Sequence, residues 1–176
     1  MVQSLKYGEL TRMAWAKNGT PHTLGSDGDT LEITDLTANK FNVFLTHPLK
    51  GAAAGTLTPV IQIDGNTNLD YAYRYSVDGG TDSTAGGADY INPNVSASSD
   101  FLTIVYSSNI DSEEKLFIIF INARNTAGAG TAPTRGECVG KVDTTTNTAQ
   151  YTQYRYYNQG TSDFGTNTNL SAIGTD

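Results

Sequence analysis

Oxygen-bearing side chains stand at alternate positions in Asp64, Asn66, Asn68 and Asp70, the spacing with which the first half of a calcium loop presents its ligands. Such a loop needs glycine at its sixth position and a bidentate glutamate at its twelfth. Here those positions hold Leu69 and Tyr75, so the motif fails at both decisive points and the segment reads as an ordinary Asx-rich turn, with a calcium site only the weaker alternative. The two histidines, His22 and His47, have no other ligand type at a metal-binding interval, and no zinc site is expected. A serine triad is not expected either, because the chain has no G-x-S-x-G elbow and both histidines lie in or beside turns. Gly128-Ala129-Gly130 lacks the third glycine and the strand-to-helix setting of a phosphate loop. Cys138 is the sole cysteine, unable to form an intramolecular bridge, and within a predicted strand it reads as a small buried hydrophobe. The sequence points to a protein that is not an enzyme and needs no cofactor.

What remains is aromatic chemistry. Tyr71, Tyr73 and Tyr75 fall on one face of a predicted strand, and Tyr151, Tyr154, Tyr156 and Tyr157 gather around Arg155 near the C-terminus. Tyrosine rings anchor protein interfaces and also stack on sugar faces. Tyr151, Tyr154, Tyr156 and Tyr157 are therefore interface candidates, and Tyr73, Tyr75, Tyr154 and Tyr156 are candidates for glycan stacking. Leu10, Met13 and Trp15 precede a Gly/Asn/Pro-rich stretch, residues 18–28, with the composition of a linker. They belong either to a first strand or to an arm that docks on a neighbouring subunit.

The element that must position these groups is the run at residues 114–125, the most apolar in the chain. Leu116, Ile118 and Phe120 alternate with Phe117, Ile119 and Ile121, so both faces of the predicted strand are apolar and both are expected to be covered. Further strands are predicted over 30–36, 40–49 (through Phe41, Val43 and Leu45), 57–64, 71–76, 101–106, 137–143, 149–158 and 170–174. The segments 77–100 and 126–135 read as long polar loops. With no convincing helix, the prediction is a single-domain antiparallel β-sandwich of nine or ten strands, jelly-roll or immunoglobulin-like. Residues 1–28 would be an arm or first strand plus linker, and residues 29–176 the sandwich.

Composition narrows the partners. The chain has 176 residues and a net charge of -7, which opposes attraction to phosphate backbones, so nucleic acid is not an expected partner. Its start lacks the basic and apolar blocks of a signal peptide, and no run approaches the length of a membrane span; synthesis in the cytoplasm is expected.

The segment Ile63-Asp64-Gly65-Asn66-Thr67-Asn68-Leu69-Asp70-Tyr71-Ala72-Tyr73-Arg74-Tyr75-Ser76 resembles the "FN-D-TG-NY-YRYS" segment of small virion structural proteins of tailed bacteriophages and related archaeal viruses. Glu113-Glu114-Lys115-Leu116 is similar to their "EKL" lead into a core strand, and residues 127–137, with Ala-Gly-Ala-Gly-Thr-Ala-Pro-Thr-Arg-Gly-Glu, to their "AGAG-AP-R-E" loop. Residues 163–174 are similar to their "F--GS-L-V-G" ending. The resemblance covers roughly residues 29 to 176 and implies a β-sandwich in a virion, as a head-decoration or tail component, with no catalytic residues to carry over. The partners then expected are the protein itself, as a trimer, and other virion proteins, with a host surface glycan as the alternative.

Overall fold

β-Branched and aromatic side chains at alternating positions form the strands of this protein, and Gly, Asn and Asp close the turns between them. The computed structural model describes residues 14–68, 70–125, 128–143 and 149–176, and every regular element within them is a strand. In chain order the strands are β1 (Ala16–Lys17), β2 (His22–Thr23), β3 (Thr30–Ile33), β4 (Phe41–Thr46), β5 (Pro59–Ile63) and β6 (Tyr71–Val77). They continue with β7 (Ser83–Ala88), β8 (Phe101–Ser108), β9 (Lys115–Ala123), β10 (Thr134–Val142), β11 (Tyr154–Asn158) and β12 (Asn169–Thr175). The protein is an all-β antiparallel sandwich.

Nine strands make one sheet, in the order β1-β12-β4-β8-β9-β10-β6-β7 with β2 also pairing β12, and three make the other, in the order β3-β11-β5. The two sheets are unequal, nine strands against three. The central strand lies where its composition put it, with β8 on one side and β10 on the other. Its inner face, Phe117, Ile119 and Ile121, is fully buried with Phe44, Phe101 and Val105 of the same sheet. Leu31, Ile33, Ile61, Ile63, Tyr154 and Tyr156 of the small sheet close the core from above. Burying each large apolar side chain contributes roughly 1.5–3 kcal/mol, so the core rests on the contact between these two faces.

Four expectations are corrected by this arrangement. Among the described residues only one face of β9 is covered: Leu116, Ile118 and Phe120 lie on the outer face of the large sheet, exposed. In β4 the alternation runs opposite to the expected sense, because Phe41, Val43 and Leu45 point outward or sideways while Asn42, Phe44 and Thr46 are buried. Asn42 is accepted inside because it is hydrogen-bonded, its Oδ1 receiving Asn18 Nδ2 at 2.7 Å and its own Nδ2 donating to Tyr151 Oη at 3.1 Å.

Residues 18–28 are not a linker. Asn18 is buried and its amide bonds the backbone of Thr37 in both directions, Leu24 joins the core, and β1 and β2 extend the large sheet along β12. Residues 77–100 are not a free loop either. They form β7, which pairs β6, and then an extended strip that bridges β5 through Ile91–Ile61 and the segment just before β5 through Ala97–Leu57, and that buries Ile91 and Val95 over β10. That strip completes the small layer. Two glycines of β10 make the approach possible: a Cβ on Gly140 would meet Ile91 Cδ1 at 2.7 Å, and one on Gly136 would collide with Val95.

Candidate functional site

Strand register assembles the exposed residues of the large sheet into rows. Ile173 of β12 stands opposite Val43 of β4, Val43 opposite Tyr106 of β8, Tyr106 opposite Ile118 of β9, and Ile118 opposite Val139 of β10. The neighbouring row holds Leu45, Ile104 and Phe120, and Leu102, Leu116 and Phe41 extend the surface along the strands. Leu116 is 53 %, Val139 51 % and Ile118 48 % exposed. The rings of Tyr106 and Phe120 meet edge to face with centroids 6.5 Å apart, which fixes the two largest groups of the surface against each other. Together these side chains make a contiguous apolar surface that crosses five strands, and extended apolar patches with a polar rim mark interaction sites.

The rim is polar and locally neutral. Lys141 Nζ reaches Glu114 Oε1 at 2.6 Å, Arg74 reaches Asp82 at 3.3 Å, Arg135 reaches Glu137 at 3.4 Å, and Arg124 reaches Asp100 at 3.3 Å. The hydrogen bond and charge of Glu114 push the Lys141 ammonium above its ordinary range, so it stays protonated. Between β9, β10 and β6 the surface dips into a shallow hollow of about 560 Å³ floored by Leu116, Ile118, Val139 and Ala72. An apolar centre with a paired polar rim is the anatomy of a protein interface. No family model, curated protein or solved structure matches this chain. The surface itself therefore carries the functional argument.

The tyrosines singled out from the sequence lie elsewhere. Tyr151, Tyr154 and Tyr156 are core residues with no more than 1 % exposure, so they neither touch a partner nor stack on a sugar. Tyr154 stacks on Phe44 at 3.7 Å, and Tyr156 Oη shares a hydrogen bond of 2.8 Å with Thr103 Oγ1. Tyr151 Oη is held by Asn42 and by a short bond with Ser107. Burial pushes all three phenols well above their usual range. The cause of the misreading is parity: with Tyr154 and Tyr156 turned inward, only Tyr157 and Arg155 of β11 remain partly accessible.

Tyr157 packs edge-on against Tyr90 at 6.2 Å, and burial raises its phenol to about 12. Tyr73 and Tyr75 are half-buried against the core, their centroids 6.1 Å apart and their planes tilted 34°. They do not form a flat exposed platform. Trp15, just before β1, is exposed, whereas Leu10 and Met13 lie outside the described residues.

The calcium candidate is a closed turn in its described residues. Asp64 Oδ1 accepts the amides of Thr152 and Gln153 at 3.0 and 2.9 Å, which ties this turn to the segment before β11. Asn66 Oδ1 accepts the amide of Asn68 at 3.0 Å, and Asn66 Nδ2 donates to Asp70 Oδ2 at 3.1 Å. Asp64 and Gly65 both have positive φ, as a tight reversal requires. These oxygens face amide donors rather than a common centre, and among the described residues no group of three or more His, Cys, Asp or Glu is placed to hold a metal ion. Cys138 is buried, and burial raises its thiol to about 12, far from a nucleophile's range.

Sequence reasoning missed the outer face. Its signal was present in the doubled apolar alternation of β9, which reads as a strand covered on both sides and serves equally for a strand whose second cover is another molecule.

Proposed function

We propose that this protein is a structural subunit of a virus particle, a phage virion component acting through self-association and docking to other virion proteins rather than through catalysis. The observation that carries the reading is the contiguous apolar outer face of the large sheet, bordered by paired charges. A face of this size is costly for a monomer to leave in water and useful to a subunit that is always assembled. The resemblance of residues 29–176 to small virion proteins supplies the setting. Mass spectrometry of purified particles is the test, with the protein expected in stoichiometric amounts. Its presence in infected-cell lysate and absence from particles would overturn the reading.

A further inference from the structure

We propose that the outer face is covered by a second copy of this chain, the two large sheets packing face to face about a two-fold axis to give a four-layer stack. The inference rests on the reading of that face as an assembly surface and names its partner. Two features favour an identical copy over a partner of different chemistry.

The first is charge. The protein carries -7 overall, and two copies should repel wherever acidic surfaces meet. The acids at this rim, Glu114, Asp82, Glu137 and Asp100, are each paired with Lys or Arg, and Lys17 beside Ile173 adds a positive charge at the β1 edge. The apolar centre of this face carries no formal charge and these rim pairs are neutral, so two copies can meet there with little repulsion. A basic partner would find little here to recognise.

The second feature is area and shape. A contiguous apolar surface that crosses five strands is of the extended kind that a stable interface buries, roughly 800 Å² per partner. The residues form one continuous patch rather than two complementary ones, and a single patch that meets itself is the isologous contact of a two-fold pair. The three-fold ring expected from the sequence would instead require two different patches. Tyr106 and Ile118, side by side in the middle of the central row, lie where the axis would pass.

Sedimentation velocity of the full chain tests this, with the wild type expected to form a dimer that dissociates on dilution. Ile118→Lys and Tyr106→Glu change side chains already exposed in the single subunit, so their melting temperature should stay near wild type. Dimerisation should weaken on the order of 100-fold or more, about 2.8 kcal/mol at 1.4 kcal/mol per decade. Ile118→Cys should give a disulfide-linked dimer under mild oxidation, the buried Cys138 supplying little background.

Deletion of residues 1–13 should leave the dimer intact. Loss of the dimer on that deletion, with Ile118→Lys without effect, would make the N-terminal segment the contact and overturn the proposal, as would a wild type monomeric throughout. Incorporation into particles is read separately. A monomer that still enters particles sinks the two-fold pair and leaves the assembly reading standing; a dimer absent from particles does the reverse.

Discussion

At the scale of single residues, two buried tyrosines with nearly the same surroundings should respond oppositely to loss of their hydroxyls. Tyr151 Oη is engaged by Asn42 and Ser107, whereas Tyr154 Oη is buried without a hydrogen-bond partner among the described residues. An unmet buried hydroxyl costs about 1–3 kcal/mol, and removing one member of a buried network strands the others at a similar cost. Tyr154→Phe is expected to leave the melting temperature unchanged or raise it, and Tyr151→Phe to lower stability by roughly 1–3 kcal/mol in denaturant titrations. Equal destabilisation by both would contradict this account of the core.

Asp27 gives a pH-dependent counterpart. Its carboxylate accepts the amide of Ala52 at 3.0 Å and the amide and hydroxyl of Thr166 at 2.9 and 3.1 Å, and these bonds, that of Ala52 first, hold its pKa below the ordinary 3.8. Because the folded pKa lies below the unfolded one, the stabilisation is fully present above the unfolded value and is lost as pH falls through the folded one. Melting temperatures between pH 5 and pH 2 should therefore fall less steeply in Asp27→Ala than in wild type.

At the scale of elements, β10 decides whether the small layer is complete. Its inward positions Gly136 and Gly140 lie under Val95 and Ile91, so that the strip after β7 packs directly on the strand backbone. Neither glycine has an unusual φ of its own; the space above them is what excludes a side chain. Gly136→Ala should cost roughly 1–3 kcal/mol by overpacking. Amide exchange should rise across residues 89–99 before it rises in β8 or β9, since those strands are paired on both sides within the large sheet. Uniform exchange across both layers would show that the strip is not held by this contact. Lys115 plays a comparable part at the start of β9, its buried ammonium donating to the carbonyls of Ile110 and Glu113 at 2.6 and 2.8 Å and so fixing the turn from β8.

At the scale of the molecule, the two layers are unequal, and that inequality creates the outer face. Three strands and the strip after β7 cover one side of a nine-stranded sheet, and nothing among the described residues covers the other. Burying such a face contributes about 25 cal/mol for each Å² of apolar surface removed from water. Association costs of roughly 4–15 kcal/mol leave room for a stable complex even when much of the surface packs imperfectly. The energy balance thus favours a covered face, and the neutrality of its rim favours a like partner.

The strands were legible in the sequence because alternation and turn chemistry are local. The apolar runs at Leu31 and Ile33, at 101–106 and at 116–121, and the glycine and asparagine turns, determine an all-β chain without reference to distant contacts. Only the tertiary structure decided which side of each strand became the inside. In β4 the polar Asn42 and Thr46 face inward because Asn18, Tyr151 and the backbone of Asn169 meet them there, partners 24 to 123 residues away that no local pattern displays. In β9 both faces are apolar, and alternation carries no information about which one a second layer will cover. The tyrosines followed the same rule: composition marks their rings as able to bury or to bind, and the pairing of β11 between β3 and β5 turned Tyr154 and Tyr156 into the core. The candidate site thus became visible once the small sheet had taken one face of the large sheet and left the other apolar and open.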